Sequence, residues 1–374
     1  MYNRAIKSQI LAKLFKGKAI IIVGPRQVGK TTLANSLIDE SGYAENIIKF
    51  NCDNPTDRDK LNNRDFEFLD SLIGDKKMIF IDEAQKVETV GQTIKLLVDG
   101  YKNTKQIIAT GSSSINLLDK TEEPLTGRKV IFKLYSLSLG ELYPAKDLLK
   151  ISKELEMLLI YGSYPEVINA KGSSDKEDVL RELNSSYLYK DVFEFQEIKN
   201  SAILTSLLKA LALQIGSEVS YNELANIVGI DKKTVERYID LLEKNYIIFR
   251  LPPYAKNQRR TISKMRKIYF YDLGVRNSII NNYNLLTDRA DIGALWENFM
   301  IIERFKKQEY DKIYTNNYFL RTYDGAEIDL IEERGGKILG YEFKWKSRLG
   351  VKAKQLAGID CKFITPENIK GFII

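Results

Sequence analysis

The sequence predicts an α/β protein that begins with a parallel sheet and continues into a helical region and a second, smaller α/β domain. Three observations support this fold class. The apolar run 19–23 stops at a glycine-rich loop, and a helical pattern follows the loop. Two further apolar runs, 78–81 and 106–109, each end in polar residues. Helical periodicity then dominates residues 154–159 and 203–215, while strand-like runs return near the C-terminus.

The loop after the first apolar run has the spacing of a phosphate-binding loop. Gly24 and Gly29 let the backbone curve so that successive N–H groups point at phosphate oxygens. Lys30 places a positive charge near the β- and γ-phosphates, and the Thr31 hydroxyl completes a magnesium shell. The residues expected to contact the nucleotide are Gly24, Pro25, Arg26, Gln27, Val28, Gly29, Lys30, Thr31 and Thr32. With a strand before the loop and a helix after it, we predict a P-loop NTPase domain.

The apolar run 78–81 predicts a buried strand that ends in Asp82 and Glu83. In P-loop enzymes the first acid holds magnesium, and an adjacent glutamate polarises the attacking water. We therefore assign Asp82 to the metal and Glu83 to catalysis. The alternative is that both acids only cap the helix beginning near Ala84. We also expect the run 47–50 to form a strand that separates the phosphate-loop strand from the Asp82 strand.

Two further groups are candidates for contact with the γ-phosphate. The strand 106–109 leads into Thr110 and Ser112, and the sequence does not choose between their hydroxyl groups as the phosphate sensor. Arg128, just before a last strand at 130–134, either approaches a γ-phosphate in its own or a neighbouring subunit or forms an ordinary surface ion pair. Action on a neighbouring subunit would require a homo-oligomer.

The middle of the chain has helix-turn-helix spacing. Ser220 is placed to cap a helix over 221–228, and Asp231 is placed to cap a second helix over 232–245. Residues 246–251 then resemble a wing strand, so a winged helix is predicted.

A winged helix here predicts contact with nucleic acid, and we favour DNA. The second helix would meet the major groove with its first residues, which are Lys232, Lys233, Thr234 and Arg237. The basic stretch 256–267 contains no acidic residue and would follow a phosphate backbone. The alternative is that the module contacts a protein and that the basic stretch is merely solvated.

The C-terminal segment carries an acid on one predicted strand and an acid-x-lysine motif on the next. This spacing resembles the PD-(D/E)xK nuclease fold, in which Asp329 and Glu342 would bind magnesium. Lys344 would orient water or stabilise phosphate charge, and Glu297 matches the accessory acid. The alternatives are a nuclease-like domain used only for binding and charged side chains on the solvent face of a sheet.

Several motifs together resemble a known family. The phosphate loop, Ile79-Phe-Ile-Asp-Glu-Ala-Gln85, Ala109-Thr-Gly-Ser-Ser113 and Leu125-Thr-Gly-Arg128 are similar to those of prokaryotic ATP-binding proteins that pair an AAA-type module with a C-terminal domain of unknown function 4143. Later landmarks at 161–166, 267–274 and 293–298 extend the resemblance over almost the whole chain. It implies ATP as the nucleotide. We expect an AAA-type ATPase domain over 1–150, a helical linker and winged-helix domain over 151–285, and a nuclease-like domain over 286–374.

Composition narrows the chemistry. The absence of histidine excludes an imidazole base or metal ligand and leaves carboxylates, lysines and hydroxyls, which suit magnesium-dependent phosphoryl transfer. Cys52 and Cys361 lie far apart without metal spacing, which indicates a reducing cytoplasm. No apolar stretch approaches the roughly 18 residues of a membrane span, so we expect no membrane partner. The net charge of +7 is small for 374 residues, so binding must depend on local basic patches.

These observations predict an ATPase that uses ATP and Mg²⁺ and couples hydrolysis to DNA binding, with DNA cleavage by the C-terminal domain as a further activity. Two alternatives stay open. One is a nucleotide-operated switch for protein interactions, and the other is a DNA-binding regulator without nuclease activity.

Overall fold

The structure is a computed structural model that describes residues 2–112, 125–144, 148–188, 201–255, 265–322, 324–346 and 354–373. The chain divides into two compact units. The N-terminal unit comprises Met1–Tyr135 with Lys244–Tyr246, and the C-terminal unit comprises Ser136–Glu243 and Ile247–Ile374. The three domain boundaries expected from the sequence stay a prediction. Within the described ranges, no helix combines the length and apolar character needed to cross a membrane.

The N-terminal unit is built on a five-stranded parallel sheet. Its strands are β1 (Ala19–Val23), β2 (Ile47–Asn51), β3 (Met78–Asp82), β4 (Gln106–Gly111) and β5 (Lys129–Lys133). Its helices are α1 (Lys7–Leu11), α2 (Lys30–Glu40), α3 (Pro55–Leu61), α4 (Phe66–Ile73) and α5 (Val90–Tyr101), with a 3₁₀ turn at Ala84–Lys86. All residues of β1 and β4 are buried, which explains their uninterrupted apolar runs. The predicted parallel α/β fold of this part is confirmed.

The strand order corrects one expectation. The order is β2-β3-β4-β1-β5, so β4 separates the phosphate-loop strand from the Asp82 strand, and β2 lies at the edge next to β3. Ile108 of β4 pairs with Ile20 on one side and Phe80 on the other. The prediction failed because it followed chain order, whereas helical crossovers allow parallel strands to be placed out of sequence order. In the N-terminal segment before β1, the α-helix covers Lys7–Leu11.

The C-terminal unit begins with helices and contains a small antiparallel sheet. Its helices are α6 (Leu139–Leu142), α7 (Leu148–Tyr161), α8 (Pro165–Asn169), α9 (Ser173–Glu182), α10 (Ser201–Leu213), α11 (Tyr221–Val228), α12 (Lys232–Lys244), α13 (Leu273–Ile279), α14 (Ile292–Tyr310) and α15 (Lys370–Ile373). A π-helical turn covers Leu183–Leu188, and a 3₁₀ turn covers Leu286–Asp288. Strands β6 (Glu218–Val219), β7 (Ile248–Leu251) and β8 (Arg266–Phe270) form an antiparallel sheet in the order β6-β8-β7.

Local side chains set the ends of α11 and α12. The Ser220 hydroxyl accepts a hydrogen bond from the Glu223 N–H at 3.4 Å, which caps α11. Gly229 ends the same helix with a left-handed φ of 71°. Asp231 then accepts a hydrogen bond from the Thr234 N–H at 2.9 Å and caps α12. Both helices therefore begin where the sequence placed them.

A second sheet closes the chain. Its strands are β9 (Asn316–Arg321), β10 (Glu327–Arg334), β11 (Lys337–Phe343), β12 (Lys354–Leu356) and β13 (Ile359–Ile364), in the order β12-β13-β11-β10-β9. The register between β10 and β9 shifts between Ile328 and Ile331, which marks a β-bulge beside Asp329. Helix α14 packs on this sheet, where the Trp296 indole N–H donates to the Ile364 carbonyl at 3.4 Å.

Candidate functional site

The phosphate loop lies between β1 and α2 and depends on two glycines. Gly24 has a φ of 154°, and a Cβ there would lie 1.9 Å from the carbonyl oxygen of Leu134. Gly29 has a left-handed φ of 93° and precedes α2 without a side-chain cap. The first N–H groups of an α-helix have no partner within the helix. This end of α2 is therefore arranged to receive an anion.

Lys30 bends back over the loop. Its ammonium donates to the carbonyl oxygens of Gly24 at 2.9 Å and Pro25 at 2.7 Å, and the residue is only 5% exposed. Hydrogen bonds from an ammonium to phosphate are charge-assisted and stronger than those to a neutral carbonyl. Lys30 is thus held beside the loop by weaker partners than a nucleotide would supply.

Arg4 supports the loop from the N-terminal segment, and sequence reasoning missed it. Its guanidinium donates to the carbonyl oxygens of Val28 and Tyr135, both at 2.6 Å, and the residue is 7% exposed. No motif connects Arg4 with Val28, which lies 24 residues later in the chain. The only available signal was an arginine beside the otherwise apolar positions Ile6 and Ile10.

Asp82 lies where the phosphate loop meets β3 and β4. The Thr31 hydroxyl donates to its two carboxylate oxygens at 3.1 and 3.0 Å. The Thr110 hydroxyl also donates to Asp82, and it accepts from the Glu83 N–H at 3.3 Å. A hydroxyl beside a carboxylate is the hard oxygen donor set that magnesium prefers. Thr31 and Asp82 therefore fit the metal role that the sequence assigned to them.

The Glu83 side chain does not cap the helical turn that follows it. Glu83 has a left-handed φ of 51° and makes no capping hydrogen bond to Ala84–Lys86. Its carboxylate instead accepts from the Gln85 amide, which also donates to the Ser112 hydroxyl at 3.1 Å. Thr110 thus contacts Asp82 directly, whereas Ser112 is connected to Glu83 through Gln85. Sequence reasoning did not single out Gln85.

The structure does not bring Arg128 to the phosphate loop of its own chain. Arg128 precedes β5, and the first residue of β5, Lys129, pairs with Ala19 at the start of β1. The phosphate loop follows the other end of β1, roughly 13 Å away at about 3.3 Å per residue. The guanidinium bonds Asp99 at 2.5 Å, and this bond raises the Arg128 pKa. The expectation of a contact within the same subunit is therefore wrong for this geometry, and a surface ion pair is observed.

Two of the three acids expected to form a nuclease site, Glu297 and Asp329, lie beside a buried lysine. The Lys267 ammonium lies 2.9 Å from Glu297 Oε1 and 3.9 Å from Asp329 Oδ1, and it also contacts Glu327. The Tyr269 hydroxyl donates to the same Glu297 oxygen at 2.6 Å. Within the described ranges, no group of three or more acidic or cysteine side chains is spaced to hold a metal ion. The arrangement does not fit the magnesium site that the sequence predicts from Glu297, Asp329 and Glu342.

Electrostatics at this cluster follow from burial and charge. Burial lowers the Lys267 pKa, but the neighbouring carboxylates, Glu297 foremost, outweigh it and raise the pKa above its ordinary value. Burial raises the Asp329 pKa to about 8, with a further contribution from the charge of Glu297. The positive charge on Lys267 is therefore favoured, whereas burial favours the protonated form of Asp329.

Glu342 and Lys344 lie at the end of β11 and pair with each other. Lys344 Nζ is 3.2 Å from Glu342 Oε1. The Phe343 N–H between them donates to Asp329 Oδ2 at 2.8 Å. The structure thus places Asp329 and Glu342 on adjacent strands, with Lys344 directly after the second strand, and each of the three has a polar partner within the protein.

The predicted nucleic-acid surface is described only in part. Lys232, Lys233 and Arg237 are exposed at the start of α12, and Thr234 is half-buried. Lys232 lies 3.7 Å from Glu236, so part of its charge is offset.

The predicted basic stretch needs one correction. Residues 256–264 lie outside the described ranges. Lys267 is 2% exposed and is surrounded by carboxylates, so the expectation that it follows a phosphate backbone is wrong.

Family models match three consecutive parts of the chain. Residues 16–143 match a family described as an AAA domain, and residues 292–372 match a domain of unknown function, DUF4143. Residues 152–285 match a second domain of unknown function, DUF8612. The fold and the loop define an AAA-type P-loop ATPase, an enzyme that hydrolyses ATP.

Relatives occur in distant organisms. An uncharacterized protein of Mycobacterium tuberculosis is 25% identical over 346 residues, which cover 91% of this chain and 74% of the relative. An uncharacterized protein of Methanocaldococcus jannaschii is 25% identical over 350 residues, covering 88% and 75%. Among solved structures, AMPPCP-bound DnaA of Aquifex aeolicus is similar with a TM-score of 0.32 and 18% identity, over 64% of this chain and 86% of DnaA. The chain thus contains an AAA domain and, C-terminal to it, a domain of unknown function 4143.

Proposed function

We propose that the protein is a magnesium-dependent ATPase whose C-terminal unit binds DNA without cutting it. The observation that carries the first part is the Asp82 carboxylate, which receives the Thr31 and Thr110 hydroxyls while Glu83 follows it at the end of β3. Bound magnesium would neutralise charge on the nucleotide phosphates. Thr31 and Asp82 would hold it.

Other groups of the N-terminal unit would carry out the rest of the reaction. The N–H groups of the loop and Lys30 bind and orient the phosphates. Glu83, whose carboxylate is oriented by Gln85, accepts a hydrogen bond from the attacking water and aligns it with the γ-phosphate. Thr110 bonds both Asp82 and the Glu83 backbone, so it connects the metal-holding acid with the catalytic acid.

ATP turnover and nucleotide binding test this half of the proposal. Lys30→Ala should weaken ATP binding and abolish turnover, whereas Glu83→Gln should keep binding and lose turnover by at least about 10²-fold. Lys49→Ala is the matched control, because Lys49 is an exposed lysine of the same sheet whose side chain donates to Asn35 at 2.8 Å. Full turnover by either site variant, or equal loss in the control, would reject the assignment.

The DNA half rests on α11, α12 and the sheet beside them, which we propose to act as a winged helix. The buried face of α12 consists of apolar side chains, while its first turns expose Lys232, Lys233 and Arg237. A helix of this kind can enter the major groove with those residues. Each lysine that contacts a phosphate should add close to one unit to the dependence of log K on log salt.

Anisotropy of a labelled duplex at several salt concentrations tests this contact. Replacing Lys232 and Lys233 together by alanine should weaken binding and reduce the salt slope by about two. Replacing the exposed lysines Lys153 and Lys209, on other helices of the same unit, should leave the slope unchanged. No duplex binding by the intact protein would favour a nucleotide-operated switch for protein interactions instead.

We further propose that the two activities are coupled. Coupling between binding sites is reciprocal, so if DNA changes ATP affinity by some factor, ATP must change DNA affinity by the same factor. Measuring both affinities in the hydrolysis-deficient Glu83→Gln protein avoids turnover during the experiment. Equal ATP affinity with and without saturating DNA would leave two independent activities.

A further inference from the structure

The feature that departs most from a nuclease site is the position of Lys267. This residue belongs to β8, yet its side chain reaches Glu297 on α14 and both Glu327 and Asp329 on β10. It is 2% exposed, so its ammonium has left bulk water. A buried ammonium is tolerated only when carboxylates and hydrogen bonds compensate for its lost hydration. The cluster therefore needs a cation at this point, and the chain supplies one.

Two of the oxygens that a metal would use already accept hydrogen bonds, and a third lies close to the ammonium. Glu297 Oε1 accepts from Lys267 at 2.9 Å and from the Tyr269 hydroxyl at 2.6 Å. Asp329 Oδ2 accepts from the Phe343 N–H at 2.8 Å, and Asp329 Oδ1 lies 3.9 Å from the ammonium. A divalent cation bound to these oxygens would lie within a few ångströms of a fixed positive charge, where electrostatic repulsion is strong.

We propose that Lys267 replaces a divalent cation in the C-terminal unit, so that Asp329 and its neighbours bind no magnesium or manganese and the unit cannot cleave DNA by metal-dependent hydrolysis. The ammonium connects β8, α14 and β10, which makes the acidic cluster a structural junction between the small antiparallel sheet and the last sheet. Removing the ammonium without removing the acids should create a divalent-cation site. This inference depends neither on ATP hydrolysis nor on DNA binding.

Manganese binding to the full-length, nucleotide-free chain tests the proposal. An Asp82→Asn background removes the acid that serves the phosphate loop, and the probe is Mn²⁺ followed by electron paramagnetic resonance and calorimetry. We expect no site that is sensitive to Asp329→Asn in this background. Lys267→Met should then gain one Mn²⁺ site, at least about 100-fold tighter than any binding by the background protein, and Asp329→Asn should abolish the gain.

Two further variants separate loss of charge from creation of a site. Lys306→Met removes another buried lysine, but the ammonium of Lys306 has a single carboxylate partner among its described contacts, Glu303 at 2.8 Å. It should gain no Mn²⁺ site. Lys267→Arg keeps the positive charge and should also gain none.

The melting temperature with and without Mn²⁺ gives a second test, and it can be measured on destabilised variants. Lys267→Met should melt below the background protein, and Mn²⁺ should raise its melting temperature while leaving that of Lys306→Met unchanged. If Lys267→Met does not fold, Lys267→Gln, which keeps a hydrogen-bond donor to Glu297, takes its place. A background protein that already binds one Mn²⁺ through Asp329, or a folded Lys267→Gln protein that gains none, would overturn the proposal.

Discussion

Removal of the Arg4 guanidinium tests whether the N-terminal segment holds the phosphate loop in place. Arg4→Met keeps most of the side-chain volume but deletes both hydrogen bonds, to Val28 and Tyr135 at 2.6 Å. A hydrogen bond from a charged donor contributes about 1.5–3 kcal/mol, and a buried carbonyl left without its partner adds to the loss. Two such bonds from a residue that is 7% exposed predict a local loss of about 3–6 kcal/mol.

Hydrogen exchange of the loop and of the first turn of α2 measures this loss locally. A change of 3 kcal/mol corresponds to exchange about 150-fold faster, since about 1.4 kcal/mol is tenfold. ATP affinity should fall as well, because Val28 belongs to the loop. Arg64→Met is the matched control, because Arg64 is exposed and also donates to a backbone carbonyl, that of Asp59 at 2.9 Å. Equal exchange in the two variants would refute a special role for Arg4.

Three further predictions concern single residues. Thr110→Val should lower kcat about 10-fold or more through the lost bond to Asp82, whereas Ser112→Ala should lower it less; steady-state ATPase assays compare them. Burial raises the Asp291 pKa, but two neighbouring arginines outweigh burial and hold it at about 2, below its ordinary 3.8. The Asp291 carboxylate therefore stabilises the folded protein above about pH 4, and this contribution is lost as pH falls toward 2. In acid-unfolding curves, Asp291→Asn should lack this pH-dependent loss of stability. Gly162→Ala should cost about 2–4 kcal/mol in urea unfolding, because φ is +73° and the new Cβ would lie 2.0 Å from an Asp272 oxygen, whereas Gly172→Ala meets nothing within 4 Å.

The nucleotide site was predictable because its residues act through local spacing. Gly24, Gly29, Lys30 and Thr31 lie within one short loop, residues 24–31, and the phosphate loop follows from their spacing with little influence from distant residues. Asp82 was recognisable because a buried strand ended in an acid. Strand pairing, in contrast, joins residues that are far apart in the sequence. The position of β4 between β1 and β3 depends on crossover connections, and nothing in the run 47–50 marks it as an edge strand.

Arg128 shows that the spatial neighbours of a single side chain are equally hard to predict from the sequence. Its position just before a predicted strand left open a contact with a γ-phosphate, in the same or a neighbouring subunit, or a surface ion pair. The register of β5 against β1 decides otherwise, since Ala19 pairs with Lys129 and places Arg128 before the first strand residue. Register depends on the complete sheet, so the sequence could leave a surface ion pair open as an alternative but could not identify Asp99 as the partner.

Lys267 shows why a motif of acids and a lysine does not establish metal chemistry. Asp329, Glu342 and Lys344 have suitable spacing and lie on adjacent strands, yet the decisive residue comes from a different sheet about 60 positions earlier in the chain than Asp329. In the sequence, Lys267 belongs to a basic stretch and was expected to face phosphate. In the structure, it is buried because the carboxylates of Glu297, Glu327 and Asp329 need a counter-charge, and an ammonium fixed by the fold provides it without a metal. Loss of the ammonium alone, or of the acids alone, would leave buried charge unpaired.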